Sequence, residues 1–339
     1  MEPRQDVMFD WDVQASRRRF PERTLMVFSG RANPELGERI AEKLHLPLGK
    51  VMLKTFADGE IYCKYEQSVR GADVFLVQPT SRPVNENLME LLIMIQAAKL
   101  ASAYRVVAVV PWYGYSRQDK KSRPREPITG RLVADLLEAS GVDRVLTMDL
   151  HAGQLQGFFQ MPVDHMTAIP MLADYFKFKE LDQELVVVSP DAGGVKMAKR
   201  FADRLGASIA VLTKLRPEHN VARVMHLIGD VRGKTAIMVD DIIDTAGTLC
   251  NGAQAIMDAG ATQVFAAATH PVLSDPAYER IAESVIEELV VTDTIPLRAD
   301  VNREKIVVLS TAGILADTIQ NVFADESVSA LFQGENQLF

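Results

Sequence analysis

Five stretches of this chain combine residue types that can bind and move phosphate. The richest is AIMVDDIIDTAGTL, residues 236–249. An apolar run ends in Asp240 and Asp241. A third acid follows at Asp244, and Thr245, Ala246, Gly247 and Thr248 lead into a helix. Small and hydroxylated residues at a helix N-terminus leave backbone N–H groups and the positive dipole end free, which makes a phosphate cradle. The paired acids can accept hydrogen bonds from vicinal sugar hydroxyls. A second stretch, residues 111–130, crowds Arg117, Lys120, Lys121, Arg123 and Arg125 into a loop punctuated by Pro and Gly. An acidic chain has no structural need for such a cluster, which reads as a mobile lid that neutralises a polyphosphate. A third, TMDLHAGQLQGFF (147–159), carries Asp149 and His151 to a strand end. In TKLRP (213–217), Lys214 and Arg216 leave a strand on one face, because strand side chains alternate. Two cations aimed at one point suit a transferring phosphoryl group. FADGE (56–60), by itself, is only a turn.

These residues need a frame. From Thr24 onward, short β-branched apolar runs alternate with amphipathic helical stretches. LMVFSG, DVFLVQP, RVVAVVP and RVLTMD read as strands in the first half. ELVVVSP, SIAVLTK, TAIMVDD, QVFAAATH and KIVVLS do so in the second. Asn33 or Pro34 opens a helix with apolar residues on one face. Continuous apolar strands between helices mean parallel sheets covered on both faces, with ligands at the carboxyl ends of the strands. The 339 residues suggest two domains, alike in grammar rather than in sequence. We expect units at 23–165 and 166–332, divided where HMTAIP interrupts the pattern. Residues 1–22, with the basic run Arg17–Arg19, read as an extension. A net charge of −8 argues against general nucleic-acid binding. Cys63 and Cys250 match no metal or redox spacing, and together with the absence of a leader or long apolar run they point to a reduced, cytoplasmic protein. His45, His165, His219, His226 and His270 read as structural.

On these motifs the chain resembles the ribose-phosphate pyrophosphokinases, or phosphoribosyl pyrophosphate (PRPP) synthetases, over about residues 24–332. The 236–249 stretch resembles the PRPP motif shared with type I phosphoribosyltransferases. YSRQDKK followed by REPIT resembles the catalytic flexible loop, which those transferases lack, with Ser116 where relatives often carry Ala. The resemblance implies an α/β fold of two phosphoribosyltransferase-like domains, each a mostly parallel sheet flanked by helices. It implies transfer of the β,γ-diphosphoryl group of ATP to ribose 5-phosphate with Mg²⁺. Lys214 and Arg216 would be catalytic. His151 and Asp191 would attend the metal, His151 also meeting ATP. Phe56, Asp58, Gly59 and Glu60 would contact ATP bound mainly by a neighbouring subunit, its base stacked between Phe56 and Arg117 beside Gln118. Asp240, Asp241, Asp244, Thr245, Ala246, Gly247 and Thr248 would hold ribose 5-phosphate together with Arg216. In the phosphate-activated class, Ser68 and Arg70 of one subunit, and Ser310, Thr311 and Gly313 of another, would form a site for inorganic phosphate or ADP in a homohexamer. A phosphoribosyltransferase and a non-catalytic regulatory subunit are the alternatives. AMP formation from ATP and ribose 5-phosphate separates them.

Overall fold

The computed structural model describes residues 23–179, 181, 183–215 and 224–332. Arg216 and the 1–22 extension lie outside them. The first half opens with β1 (Leu25–Ser29) and α1 (Pro34–Lys43), whose N-cap Asn33 accepts from Leu36 N–H at 3.3 Å. There follow β2 (Val51–Thr55), β3 (Ile61–Tyr65), β4 (Asp73–Val77), α2 (Val84–Leu100) and β5 (Arg105–Val110). Then come α3 (Thr129–Ser140), β6 (Arg144–Met148) and β7 (Val163–Met166). β1-β4-β5-β6-β7 form a five-stranded parallel sheet, and β2 and β3 form a separate antiparallel hairpin.

The second half runs α4 (Ile169–Phe178), β8 (Leu185–Ser189), α5 (Val195–Leu205), β9 (Ser208–Leu215), β10 (Val224–Ile228) and β11 (Thr235–Ile243). It continues with α6 (Gly247–Asp258), β12 (Gln263–Pro271), α7 (Ala277–Glu283), β13 (Ile286–Thr292), β14 (Ile306–Leu309) and α8 (Ala312–Phe323). Its seven strands take the order β10-β9-β8-β11-β12-β13-β14, and only the β10–β9 pairing is antiparallel.

Period-two alternation sends each strand into two cores, as parallel strands buried on both faces require. Val27, Phe75 and Val77 join one apolar cluster, while Phe28, Val74 and Leu76 join another. The first of these clusters also takes Val187, Ile237 and Phe265 from the second sheet, with α1, α4, α5 and α8 packed in it. The two halves therefore share a core. β7 also runs through the His165–Met166 stretch that reads in the sequence as a break, because it pairs with β6 as the edge of the first sheet.

A buried polar seam joins the carboxyl ends of the sheets. Asp149 follows β6 with φ of 35°, in the left-handed region. Its Oδ2 accepts from the Thr269 hydroxyl at 2.7 Å and from Ala168 N–H at 2.8 Å. His270 Nε2 donates to the Met148 carbonyl at 3.0 Å, and its Nδ1 faces the Thr294 hydroxyl at 3.0 Å. Burial holds this imidazole below its ordinary pKa, so it bridges the sheets as a neutral ring. Removing it leaves a cavity and unpaired buried groups, worth about 3 kcal/mol or more. His270→Ala should lower the melting temperature by several degrees in a thermal unfolding scan, whereas a change on the exposed face of α1 such as Glu38→Ala should leave it unmoved.

Candidate active site

β11 runs beyond Asp241 to Ile243, because its pairing with β12 continues to Pro271. The paired acids thus sit within the strand rather than at its tip. Asp240 is largely buried, and burial together with the neighbouring Asp241 charge pushes its carboxyl up to about 8. Burial also pushes on Asp241, but His151 outweighs it and holds this carboxylate below the usual range. His151 Nδ1 lies 2.7 Å from Asp241 Oδ2, and that bond raises the imidazole pKa. One hydrogen bond thus joins the DLH motif of the first half to the acidic motif of the second.

Past Ile243 the chain turns into the cradle. Ala246 adopts φ 56° and caps α6 without a side-chain hydrogen bond. Arg280 on α7 holds this turn by donating to the Thr245 carbonyl at 2.8 Å. Thr245 and Thr248 are exposed. Asp244 Oδ2 accepts from Arg117 at 2.6 Å, and its buried Oδ1 is without a partner.

The basic loop divides into an anchored stem and an open tip. Ser116 and Asp119 are buried, and Asp119 accepts from Gln154. Gln118 offers its carbonyl to Gly130 N–H at 3.0 Å. Residues 120–125 are exposed, and Glu126 bonds to the N–H groups of Ser122 and Arg123 at 2.9 and 2.8 Å. Phe56 stands at the end of the β2–β3 hairpin, 52% exposed, with its ring beside that of Tyr62 at 5.9 Å between centroids. Gly59, at φ 96°, closes the hairpin turn, and Asp58 Oδ1 accepts from Glu60 N–H at 3.1 Å. Asp191 follows β8, and its Oδ1 accepts from Gly193 and Gly194 N–H at 2.8 and 3.0 Å, ahead of α5. Lys214 lies on β9 opposite Met225. Ser68 and Arg70 are exposed, and the Ser68 hydroxyl accepts from Arg70 N–H at 3.4 Å. Ser310 is exposed and Gly313 half-buried. Thr311 is fully buried, with its N–H and hydroxyl both donating to Asp293 at 2.7 Å.

Sequence reasoning missed two cations. Lys196 and Arg200 line a cavity of about 190 Å³ with His151 and Gly193. Their spacing of four on one helix was the available signal. Among the described residues, no three His, Cys, Asp or Glu side chains form a metal cage. A magnesium ion takes most of its ligands from water and phosphate and needs no such cage.

Two parallel sheets that meet at their carboxyl ends over an acidic strand and a helix-start cradle define the phosphoribosyltransferase-like class of α/β proteins. Residues 25–141 match the model for the N-terminal domain of ribose phosphate pyrophosphokinase, and residues 215–333 that for the phosphoribosyl synthetase-associated domain. The chain belongs to the ribose-phosphate pyrophosphokinase family. It is 54% identical to the ribose-phosphate pyrophosphokinase of Fusobacterium nucleatum over 90% of this chain and 97% of that protein. It is also 54% identical to that of Clostridium perfringens, over 92% and 98%. The crystal structure of phosphoribosylpyrophosphate synthetase from Mycobacterium smegmatis superposes with a TM-score of 0.85 at 46% identity, covering 89% of this chain and all of that one.

Two expectations follow. A carboxyl raised by the fold keeps its proton where the unfolded chain has lost it, so each rise in pH from about 4 to 8 favours unfolding. Asp240→Asn removes that penalty. In metal-free buffer its melting temperature should gain on the parent as pH rises from 5 to 8, and a constant difference would show that Asp240 titrates normally. In hydrogen exchange, the amides of Lys120, Lys121 and Arg125 should exchange fast without ATP and slow with it, while Gly130 stays protected throughout. Slow exchange of the tip without nucleotide would rule out a lid.

Proposed function

We propose that this enzyme makes PRPP and AMP from ATP and ribose 5-phosphate by dividing the two substrates between its halves. Residues 23–165 take the nucleotide and 166–332 the sugar phosphate. The observation that carries this reading is the meeting of the two sets of motifs, through His151 with Asp241 and Arg117 with Asp244.

The 5-phosphate rests on the N–H groups of the 244–248 turn, with the hydroxyls of Thr245 and Thr248 completing the cradle. Asp240, Asp241 and the unpaired Asp244 Oδ1 accept from the ribose hydroxyls. A buried acceptor without a donor is costly, and a sugar hydroxyl removes that cost. Phe56 from a neighbouring subunit and Arg117 sandwich the base, with Asp58, Gly59, Glu60 and Gln118 around it. His151 and Asp191 would hold Mg²⁺, which would supply charge neutralisation of the phosphate oxygens when bound. The C1 hydroxyl oxygen bonds to the β-phosphorus and gives up its proton to water, the bond from that phosphorus to the α-phosphate oxygen breaks, and AMP leaves with that oxygen. Lys214 and Arg216 offset charge on the transferring group, and closure of the 120–125 tip keeps water from taking it.

The working form is a cytoplasmic homohexamer. No described helix is long and apolar enough to cross a membrane. Inorganic phosphate activates and ADP inhibits at a site of Ser68 and Arg70 from one subunit with the 310–313 turn from another. Because Thr311 is committed to Asp293, the Ser310 hydroxyl and the turn's backbone supply the contacts there.

A coupled assay for AMP and PRPP tests the reaction. Lys214→Ala should lower kcat by about 100- to 1000-fold, the scale of a lost transition-state contact. Its KM for ribose 5-phosphate should stay within about twofold, since the cation acts after binding. Near-normal turnover would remove Lys214 from the catalytic set.

A further inference from the structure

The β2–β3 hairpin leaves the body of the first half with a five-residue turn at its end, so the position of Phe56 depends on how the hairpin is held. Its base is fixed on α2 and β1. The Tyr65 hydroxyl donates to the Met94 carbonyl at 2.8 Å, and its ring packs edge-on against Phe28 at 4.7 Å. Beyond that, the turn bonds mainly to itself, through Phe56 N–H to the Glu60 carbonyl at 2.8 Å and Gly59 N–H to the Phe56 carbonyl at 3.0 Å. Among the described residues, the outermost hydrogen bond from hairpin to body is the one Arg31 Nη1 donates to the Thr55 hydroxyl at 3.0 Å.

Arg31 is itself held rigidly. Its Nε donates to Glu90 Oε2, and its backbone N–H donates to Glu90 Oε1 at 2.7 Å. Glu90 lies on α2 with its side chain 1% exposed, and it also accepts from Gln78 Nε2 at 3.0 Å. Gln78 in turn accepts from Ala32 N–H at 3.1 Å and lies so close to Gly30 that a Cβ there would meet it at 2.3 Å. A buried carboxylate paired on both oxygens fixes a guanidinium far better than an exposed pair does, because desolvation makes any loosening costly. The fork geometry of Arg leaves Nη1 directed at Thr55 while Nε serves Glu90.

We propose that Arg31 is a positioning residue for nucleotide binding. It transmits the fixed position of Glu90 through Thr55 to the ring of Phe56, and so sets the platform on which the base stacks. The proposal rests on the reading of the hairpin as an ATP contact. Removing Arg31 strands Glu90 and endangers the fold, so the decisive change is at the other end of the link. Thr55→Val removes only the hydroxyl and suits a strand, and Thr55→Ser restores the hydroxyl.

The experiment measures KM and kcat for the intact enzyme with each substrate, beside hydrogen exchange of residues 56–62 and with Phe56→Ala as the reference. Thr55→Val should raise KM for ATP about fivefold, the scale of one hydrogen bond. KM for ribose 5-phosphate should not change, exchange at 56–62 should quicken, and Thr55→Ser should recover most of the loss. If Phe56→Ala raises KM for ATP but Thr55→Val matches the parent in both KM and exchange, the positioning role is wrong while the hairpin reading stands. If Phe56→Ala leaves KM for ATP unchanged, the hairpin reading fails and the proposal falls with it.

Discussion

The buried seam between the two sheets is the contact on which the site depends. Asp149 accepts from Thr269 and Ala168, and His270 spans Met148 and Thr294. Each sheet alone ends in loops that carry half a set of functional groups. Parallel sheets gather such groups at one end, but they do not decide which other element faces that end. The seam does so with groups that are all buried, and a buried polar group tolerates little displacement from its partner. The left-handed backbone of Asp149 is held in the same network. His151, two residues on, is thereby delivered to Asp241.

The electrostatics of the site follow from that meeting. β11 carries adjacent acids into a partly buried place, and one charge there suppresses the other. His151 relieves Asp241 and Arg117 relieves Asp244, so the first half supplies the partner of each of these two acids. The arrangement shifts the Asp240 carboxyl toward its protonated form and leaves Asp244 Oδ1 without a donor. The basic loop is likewise two things at once. Its buried stem sets where the loop begins, and its exposed tip stays available to a polyphosphate.

Much of this was legible in the sequence. Continuous apolar strands, helices closed by Gly141 and Gly206, and the cradle at 244–248 depend on local patterning, which the chain displays in consecutive residues. The β2–β3 hairpin was not legible. Its strands are short and only half-buried, and β2 shows no alternation. β7, β10 and α7 were missed for similar reasons, each being short or at an edge. β13 is a buried strand, but it follows a helix of only seven residues that blurs its start.

The sequence by itself determined which residues could do chemistry, because a phosphate cradle, a strand-end acid and a basic loop are each made of neighbours in the chain. Only the tertiary structure decided which of them meet. His151 and Asp241 are 90 residues apart, Arg117 and Asp244 are 127 apart, and Asn33 reaches the Asp293 carbonyl across 260. His270 carries no sign in its neighbours that it bridges two sheets. Such pairings are set by how α1, α4, α5 and α8 fill the core that both sheets share. Close packing makes that arrangement a property of the whole molecule, so no single stretch of residues specifies it.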